Sequence, residues 1–363
     1  MSLTKQKRLL SILEWCMGFR PAGSIWVLLL TLRGFSLVEI GFAESVLHVV
    51  SLCCELPSGL LADLLGRKRT LVASQAMFLL TAILMACAQN LGSLCAAMAV
   101  TALAFNLQSG TLEAITYESM LQAGCERGYL KFSSLQNGIY RFSDGGAMLL
   151  AGATVLLGWR AYLIDIGIAV IGLTAALSLT EPVCEGRDGP AVTLQTLPGA
   201  LKATFLGAWE LLKTDRTAVR IMLINALIGA CATLTRFFLQ QRVQAAVTIP
   251  ALLGPALFVL GLGGGMAGLI TKHLDRLPYS RAAAVTGIGV LLCAFAARGT
   301  LLPVLMVSGL GAGLLDDGLQ LVSDKRLNDR FPSAQRATLV SVSSMAFSVF
   351  MIPLSPLFGA IFS

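Results

Sequence analysis

Long apolar runs separated by short polar punctuation make up most of this chain. A membrane-spanning helix needs about 20 mostly apolar residues. Eleven stretches qualify: 10–33, 36–58, 70–89, 93–116, 136–158, 161–180, 218–239, 249–271, 281–299, 301–322 and 337–361. None alternates apolar and polar residues as a barrel strand does. A helix satisfies its own backbone polar groups, which makes it the only open-ended element that lipid tolerates. The first stretch is the weakest, because Glu14, Arg20 and Pro21 interrupt it. The pattern predicts an all-α membrane protein with eleven transmembrane helices.

Composition agrees. Of 363 residues, 56% are hydrophobic and 13% charged, against about 25% charged in soluble domains. The net charge of +7 comes from basic residues scattered between apolar runs, not gathered in one stripe, so nucleic acid is not an expected partner. With Lys5, Lys7 and Arg8 in the cytoplasm, the even-numbered connections hold Arg67–Arg69, then Arg127 and Lys131, then Arg187 to Arg220, then Lys272, Arg276 and Arg281, then Lys325, Arg326, Arg330 and Arg336. The opposite connections hold only Arg33, Arg160, Arg242 and Arg298. Basic loops stay cytoplasmic. The expected location is therefore the cell (inner) membrane, multi-pass, with a cytoplasmic N-terminus and anionic lipid close to the basic loops. No small-residue cleavage pattern follows the basic start, which reads as the beginning of span one, not as a signal peptide. The nine cysteines form no CxxC pair and the two histidines, His48 and His273, lie far apart. The cysteines and His48 read as packing residues, and no metal, cofactor or enzyme chemistry is expected.

The longest connection, 181–216, divides the chain. Its first part is turn-rich, and Leu201, Phe205, Trp209 and Leu212 then recur at helical spacing, as on an amphipathic surface helix. This gives an N-terminal six-helix bundle (1–180), a cytoplasmic linker (181–216) and a C-terminal bundle of five helices (217–363). The halves repeat weakly. Gly59 opens a polar connection after span two, and Gly268 opens one after span eight, followed by Lys272, Asp275, Arg276 and Arg281.

The segment Gly59-Leu60-Leu61-Ala62-Asp63-Leu64-Leu65-Gly66-Arg67-Lys68-Arg69-Thr70-Leu71 resembles the loop signature of the major facilitator superfamily, G-x-L-A-D-x-x-G-R-K-x-x-L, at every fixed position and in the expected place between spans two and three. The resemblance implies two pseudo-repeated bundles around a central cavity. It also implies a conformational latch of Gly59, Asp63, Gly66, Arg67, Lys68, Glu118 and Arg336. In the family the aspartate meets the start of span eleven, here Arg336-Ala337-Thr338, in the outward-open state, and Arg67 would reach Glu118 at the end of span four. The segments 109–120, 236–243 and 326–341 resemble drug-efflux relatives more loosely. The family has twelve spans and this chain shows eleven, so the twelfth is expected to be lacking; span five carries glycines but not the proline of the antiporter signature.

A charge in hydrocarbon costs at least about 2.5 kcal/mol, so it should face a cavity or a partner. Arg20, Glu55, Glu113, Arg141, Asp144, Asp165, Arg236, Asp316 and Asp317 fall inside spans, and Gln240 lies beside Arg236 in an aromatic–glutamine stretch. Arg20, Glu113, Arg141, Asp144, Arg236, Gln240, Asp316 and Asp317 are candidates for the substrate cavity or for coupling. Glu113 and Arg141 sit at similar depth on adjacent spans and could pair, as could Arg141 and Asp144 at i,i+3. Asp316 and Asp317 are adjacent, so one of them at most should face the cavity. With no nucleotide motif present, the expected function is secondary active transport of a small molecule by alternating access, as a monomer, with proton-coupled efflux of lipophilic compounds favoured by the resemblance. Two other readings stay open: a non-transporting or truncated relative, and an importer of a small organic anion.

Overall fold

The structure is a computed structural model that describes residues 2–182, 215–331 and 336–363, with single positions 196, 199, 202, 206 and 213 between them; side chains resume at Leu339 after the last gap. The proposed amphipathic helix around Leu201, Phe205, Trp209 and Leu212 lies outside the described residues, as does the side chain of Arg336.

Helices account for every regular element among the described residues. Span one runs from Leu3 to Leu32 in three pieces, Leu3–Gly18, Pro21–Ser24 and Trp26–Leu32. Spans two and three are Leu37–Leu65 and Arg67–Cys87. Span four is Leu91–Gln108 continued by Thr111–Gln122, span five Tyr129–Leu149 continued by Ala151–Leu157, and span six Ala161–Ser178. Span seven is Arg216–Ala246; span eight is Leu253–Gly265 continued by Gly268–Asp275; spans nine to eleven are Tyr279–Ala296, Leu302–Asn328 and Arg336–Phe362.

Nine helical segments among the described residues are long and apolar enough to cross a membrane. Missing from them are the broken span one and Tyr129–Leu149 of span five, which carries Lys131, Arg141 and Asp144. Both border the central cavity (below), which accounts for Arg20 and Asp144 inside the membrane. Span two also runs seven residues further than expected, so the 59–71 signature is mostly helix, with Gly66 as a one-residue turn at φ 91°. Glycine fits such a backbone best.

The apolar core is split by depth. One large cluster joins the halves at the end opposite the N-terminus, uniting Leu28, Ile40 and Ala97 with Phe238, Leu239, Met351 and Phe362. Toward the basic end each half has its own cluster, with Leu10, Leu71 and Ile115 in one and Ala232, Leu319 and Val322 in the other.

Several glycines fit the same division. At the outer end a Cβ on Gly41 would collide with the Ser355 carbonyl, one on Gly359 with the Leu37 carbonyl, one on Gly152 with the Pro250 carbonyl and one on Gly254 with the Leu149 carbonyl. Backbones touch there because no side chain intervenes. Toward the basic end, Gly59, Gly138 and Gly268 would meet nothing within 4 Å. The molecule is sealed at the outer end and open at the basic end.

Candidate functional site

Pro21 decides the shape of span one. It disfavours helical geometry at Arg20 and cannot donate a backbone hydrogen bond. Arg20 accordingly takes φ −129° and ψ 84°, and a short helix restarts at Pro21. The restart leaves backbone N–H groups needing acceptors in a place without bulk water. Asp165 of span six supplies both oxygens: Oδ1 accepts from Ala22 N at 3.1 Å and Oδ2 from Gly23 N at 2.9 Å. The Arg20 guanidinium is thrown sideways between two aromatic rings, 5.3 Å from the Phe78 centroid and 5.4 Å from Phe105, while its Nε donates to the Met17 carbonyl at 3.1 Å. Cation–π contact offsets part of the cost of holding this charge in the membrane.

Beside this break is a cavity of about 480 Å³ between the halves. Arg20, Asp144 and Asp165 border it from the N-terminal half, Arg236 and Gln240 from the C-terminal half, with Trp26, Phe78, Phe105, Phe237 and several methionines between them. Its outer side is closed by contacts between spans one and seven. Gln240 Nε2 donates to the Ser24 carbonyl at 3.1 Å, and Phe237 meets Trp26 edge-on at 5.8 Å. Three buried polar atoms on residues of its wall have no hydrogen-bond partner among the described residues: Tyr162 Oη, Arg236 Nε and Gln240 Oε1. Buried polar atoms are nearly always paired, so these three stand out.

The remaining candidates divide. Arg236 Nη2 lies 3.7 Å from Asp316 Oδ2, a pair linking spans seven and ten. Asp317 points the other way, against Gly264 of span eight. Neither aspartate borders the central cavity; both border a second hollow with Asn225, Gln320 and Asp324. Asp144 Oδ1 accepts from Ser24 Oγ at 3.5 Å. Among the described residues no ion pair joins Arg141 to Glu113 or to Asp144. Glu113 instead borders a hollow shared with Glu14, Glu44, His48 and Glu55. Similar depth on neighbouring spans did not imply facing directions.

At the basic end, Arg67 Nε reaches Glu118 Oε1 at 3.4 Å, the partner that the resemblance implied. Asp63 Oδ1, near the end of span two, pairs with Arg67 Nη2 at the start of span three at 2.9 Å, across the Gly66 turn. Glu181, just past span six, caps the start of span three: Oε1 accepts from Arg67 N at 2.6 Å and Oε2 from Lys68 N at 2.7 Å. A carboxylate suits a helix N-terminus, and at the start of span three that carboxylate is Glu181. Tyr162, Asp165 and Glu181 complete the site, and the sequence marked only Asp165, as a charge in an apolar run.

A search of curated protein sequences finds no match. Among solved structures the chain resembles the nucleoside transporter NupG (TM-score 0.77, 17% identity, 99% of this chain and 91% of that one) and a single-site mutant of the same transporter (TM-score 0.79, 16% identity, 99% and 91%). It also resembles a D-xylose-proton symporter (TM-score 0.71, 12% identity, 99% and 90%). The family model described as Major Facilitator Superfamily matches residues 15–356. A multi-pass helical protein with a cavity between two bundles and the signature at 59–71 agrees with that match: the chain belongs to the major facilitator superfamily of membrane transporters.

Proposed function

We propose that this protein is a secondary active transporter that carries a small polar molecule through the central cavity by alternating access, coupled to protons. The bundles 1–180 and 217–363 rock against each other, the basic end faces the cytoplasm of the inner membrane, and Gly59, Asp63, Gly66, Arg67, Lys68, Glu118 and Arg336 form the latch for the opposite state. The observation that carries the substrate class is the set of three unpartnered polar atoms, Tyr162 Oη, Arg236 Nε and Gln240 Oε1. A lipophilic cargo would leave them unpaired at about 1–3 kcal/mol each, which favours a polar cargo over lipophilic efflux. They offer a donor from Arg236, an acceptor on Gln240 and a hydroxyl that serves as either. The aromatic rings suit a planar or ring-shaped body, and a volume of about 480 Å³ holds a small molecule. The two guanidiniums alone would suit an organic anion, but Glu44, Asp144 and Asp165 border the same space and favour a neutral or zwitterionic cargo.

The test is uptake and efflux in proteoliposomes under an imposed pH gradient, with a labelled nucleoside, a pentose, an aromatic amino acid and a lipophilic cation. A polar compound should accumulate, and Gln240→Leu, which loses one buried hydrogen bond to cargo, should lower its transport about tenfold. Movement of the lipophilic cation alone, unchanged in Gln240→Leu, would overturn the polar-cargo reading.

A further inference from the structure

Spans two and eleven lie side by side at the outer end, and a polar chain crosses between them. His48 Nε2 stands 3.4 Å from Glu44 Oε1, one turn away on span two. His48 Nδ1 stands 3.2 Å from Ser348 Oγ on span eleven, and the imidazole meets the Phe347 ring edge-on at 5.6 Å. Glu44 is 6% exposed, His48 8% and Ser348 3%. At about 1.5 Å per residue from Leu37, Glu44 lies about 10 Å deep and His48 about 16 Å, well inside hydrocarbon about 30 Å thick.

This cluster has an electrostatic problem. Among the described residues Glu44 makes one ion pair, with His48. With a neutral imidazole the dyad is one net negative charge, buried where such charges are expensive. The guanidiniums that share its cavity are engaged elsewhere, Arg236 with Asp316 and Arg20 with two rings and a carbonyl. The other ionisable groups around these cavities are carboxyls, phenols and one thiol, none of them cationic: Glu14 and Cys16 from span one, Glu55 from span two, Glu113 from span four, Tyr140 and Asp144 from span five, and Asp165 and Tyr162 from span six. Span eleven contributes serines and no charge between Leu339 and Phe362. One proton would neutralise the dyad.

We propose that Glu44 and His48 together bind the coupling proton, and that the hydrogen bond to Ser348 ties its occupancy to closure of the outer seam between spans two and eleven. The proposal rests on the transporter reading above. When the seam opens, Nδ1 loses Ser348 and meets water; hydronium gives it a proton and leaves as water. The imidazolium then donates from Nε2 to Glu44 and from Nδ1 to Ser348, and the neutral dyad can be buried as the seam shuts. Release follows the hollow of about 490 Å³ that His48 shares with Glu55, Glu113 and Glu14, and it leads toward the open basic end. Glu55 Oε2 accepts from Ser344 Oγ at 3.3 Å across the same seam. After release, the lone negative charge favours reopening of the outer end.

The test needs no substrate. Spin labels at Leu32→Cys and Ile249→Cys, on the outer ends of the two halves, report seam opening in nanodiscs of the full chain with exposed Cys53, Cys87 and Cys125 replaced by serine. One linked proton changes the closed-to-open ratio by up to about tenfold per pH unit, so the closed population should fall as pH rises. Glu44→Gln, already neutral and nearly the same shape, should stay closed throughout. His48→Gln should open at neutral pH, and Ser348→Ala should weaken the pH dependence without changing its sign. Two populations with no pH response, or an unaltered response in folded Glu44→Gln, would overturn the dyad as the switch while leaving alternating access intact. A single population under every condition would overturn both.

Discussion

The seam between spans two and eleven has two ends built on opposite principles. At the outer end, glycine meets carbonyl: Gly41 rests on Ser355, Gly359 on Leu37, and Ser45 Oγ donates to the Ile352 carbonyl at 2.6 Å. At the basic end Gly59 has no neighbour within 4 Å of a built Cβ, and the polar residues form ties within one half: Asp63 with Arg67, Arg67 with Glu118, and Glu181 with the start of span three. A rocking transporter must reverse this arrangement in its other state. Close glycine packing therefore marks the closed gate, and the charged signature with its ties inside the N-terminal half marks the open one.

The largest expected effects come from forcing each end into the state it does not hold here. Gly41→Leu puts a side chain on a backbone carbonyl that cannot yield, a clash of about 1–3 kcal/mol. It should trap the outer end open and cut transport about tenfold or more, since about 1.4 kcal/mol is tenfold in an equilibrium. Gly59→Leu fits this structure without a clash, but should block closure of the basic end. Transport should fall comparably while spin labels across the outer end stay at the closed distance. If both variants report the same trapped state, the seam does not work as two opposed gates.

A smaller effect is expected where the outer half of span one is held. Asp165→Ala removes acceptors from two membrane-buried N–H groups, each costing about 1–3 kcal/mol unpaired, and should lower the thermal midpoint in detergent by several degrees. Asp165→Asn keeps one acceptor and should fall between. At the basic end, Asp63→Asn should barely alter stability, since an exposed ion pair contributes about 0.2–1 kcal/mol and Arg67 keeps Glu118. It should still slow transport severalfold, because Asp63 acts in the closed state of that end. Wild-type turnover in an inserted Asp63→Asn protein would remove the latch.

The sequence revealed what depends on one segment at a time. Apolar length marked the spans, and Pro21 marked the break in span one as a local weakness. The spacing of Gly59, Asp63, Gly66 and Arg67 marked the signature. What it hid depends on which side chain faces which. Asp165 was visible as a charge, but not as the acceptor for Ala22 and Gly23, more than 140 residues earlier in the chain. Glu113 and Arg141 were matched by expected depth, yet no ion pair joins them among the described residues. His48 read as a packing residue, and it is buried; its partner Ser348 lies 300 positions away. Serine is common in transmembrane helices, so nothing in span eleven set that one apart.

The mildest prediction concerns how each half braces its own basic end. The N-terminal half ties the turn between spans two and three to span four through Arg67 and Glu118. The C-terminal half does the corresponding job with span ten: Lys325 Nζ lies 2.5 Å from Asp275 Oδ2, and Arg326 Nη2 donates to the Leu277 carbonyl at 2.7 Å. Arg330 then reaches Asp215 at 3.0 Å, and Asp215 caps span seven by accepting from Thr217 N at 2.8 Å and Ala218 N at 3.0 Å. The Ala218 N–H, the Arg330 guanidinium and the Thr217 N–H hold the Asp215 carboxyl below its ordinary value. A depressed carboxylate stabilises the fold above its unfolded pKa, about 3.9, and that contribution is lost as pH falls through the folded value. Asp215→Ala should therefore cost about 1 kcal/mol at neutral pH, the usual worth of a helix cap, and progressively less below about pH 4. Asp215→Asn should keep most of the cap and lose only the exposed pair with Arg330. Thermal midpoints of wild type and both variants at neutral and acid pH would separate cap from ion pair. A deficit in Asp215→Asn as large as in Asp215→Ala would mean that the tie to span ten, not the cap on span seven, braces this end.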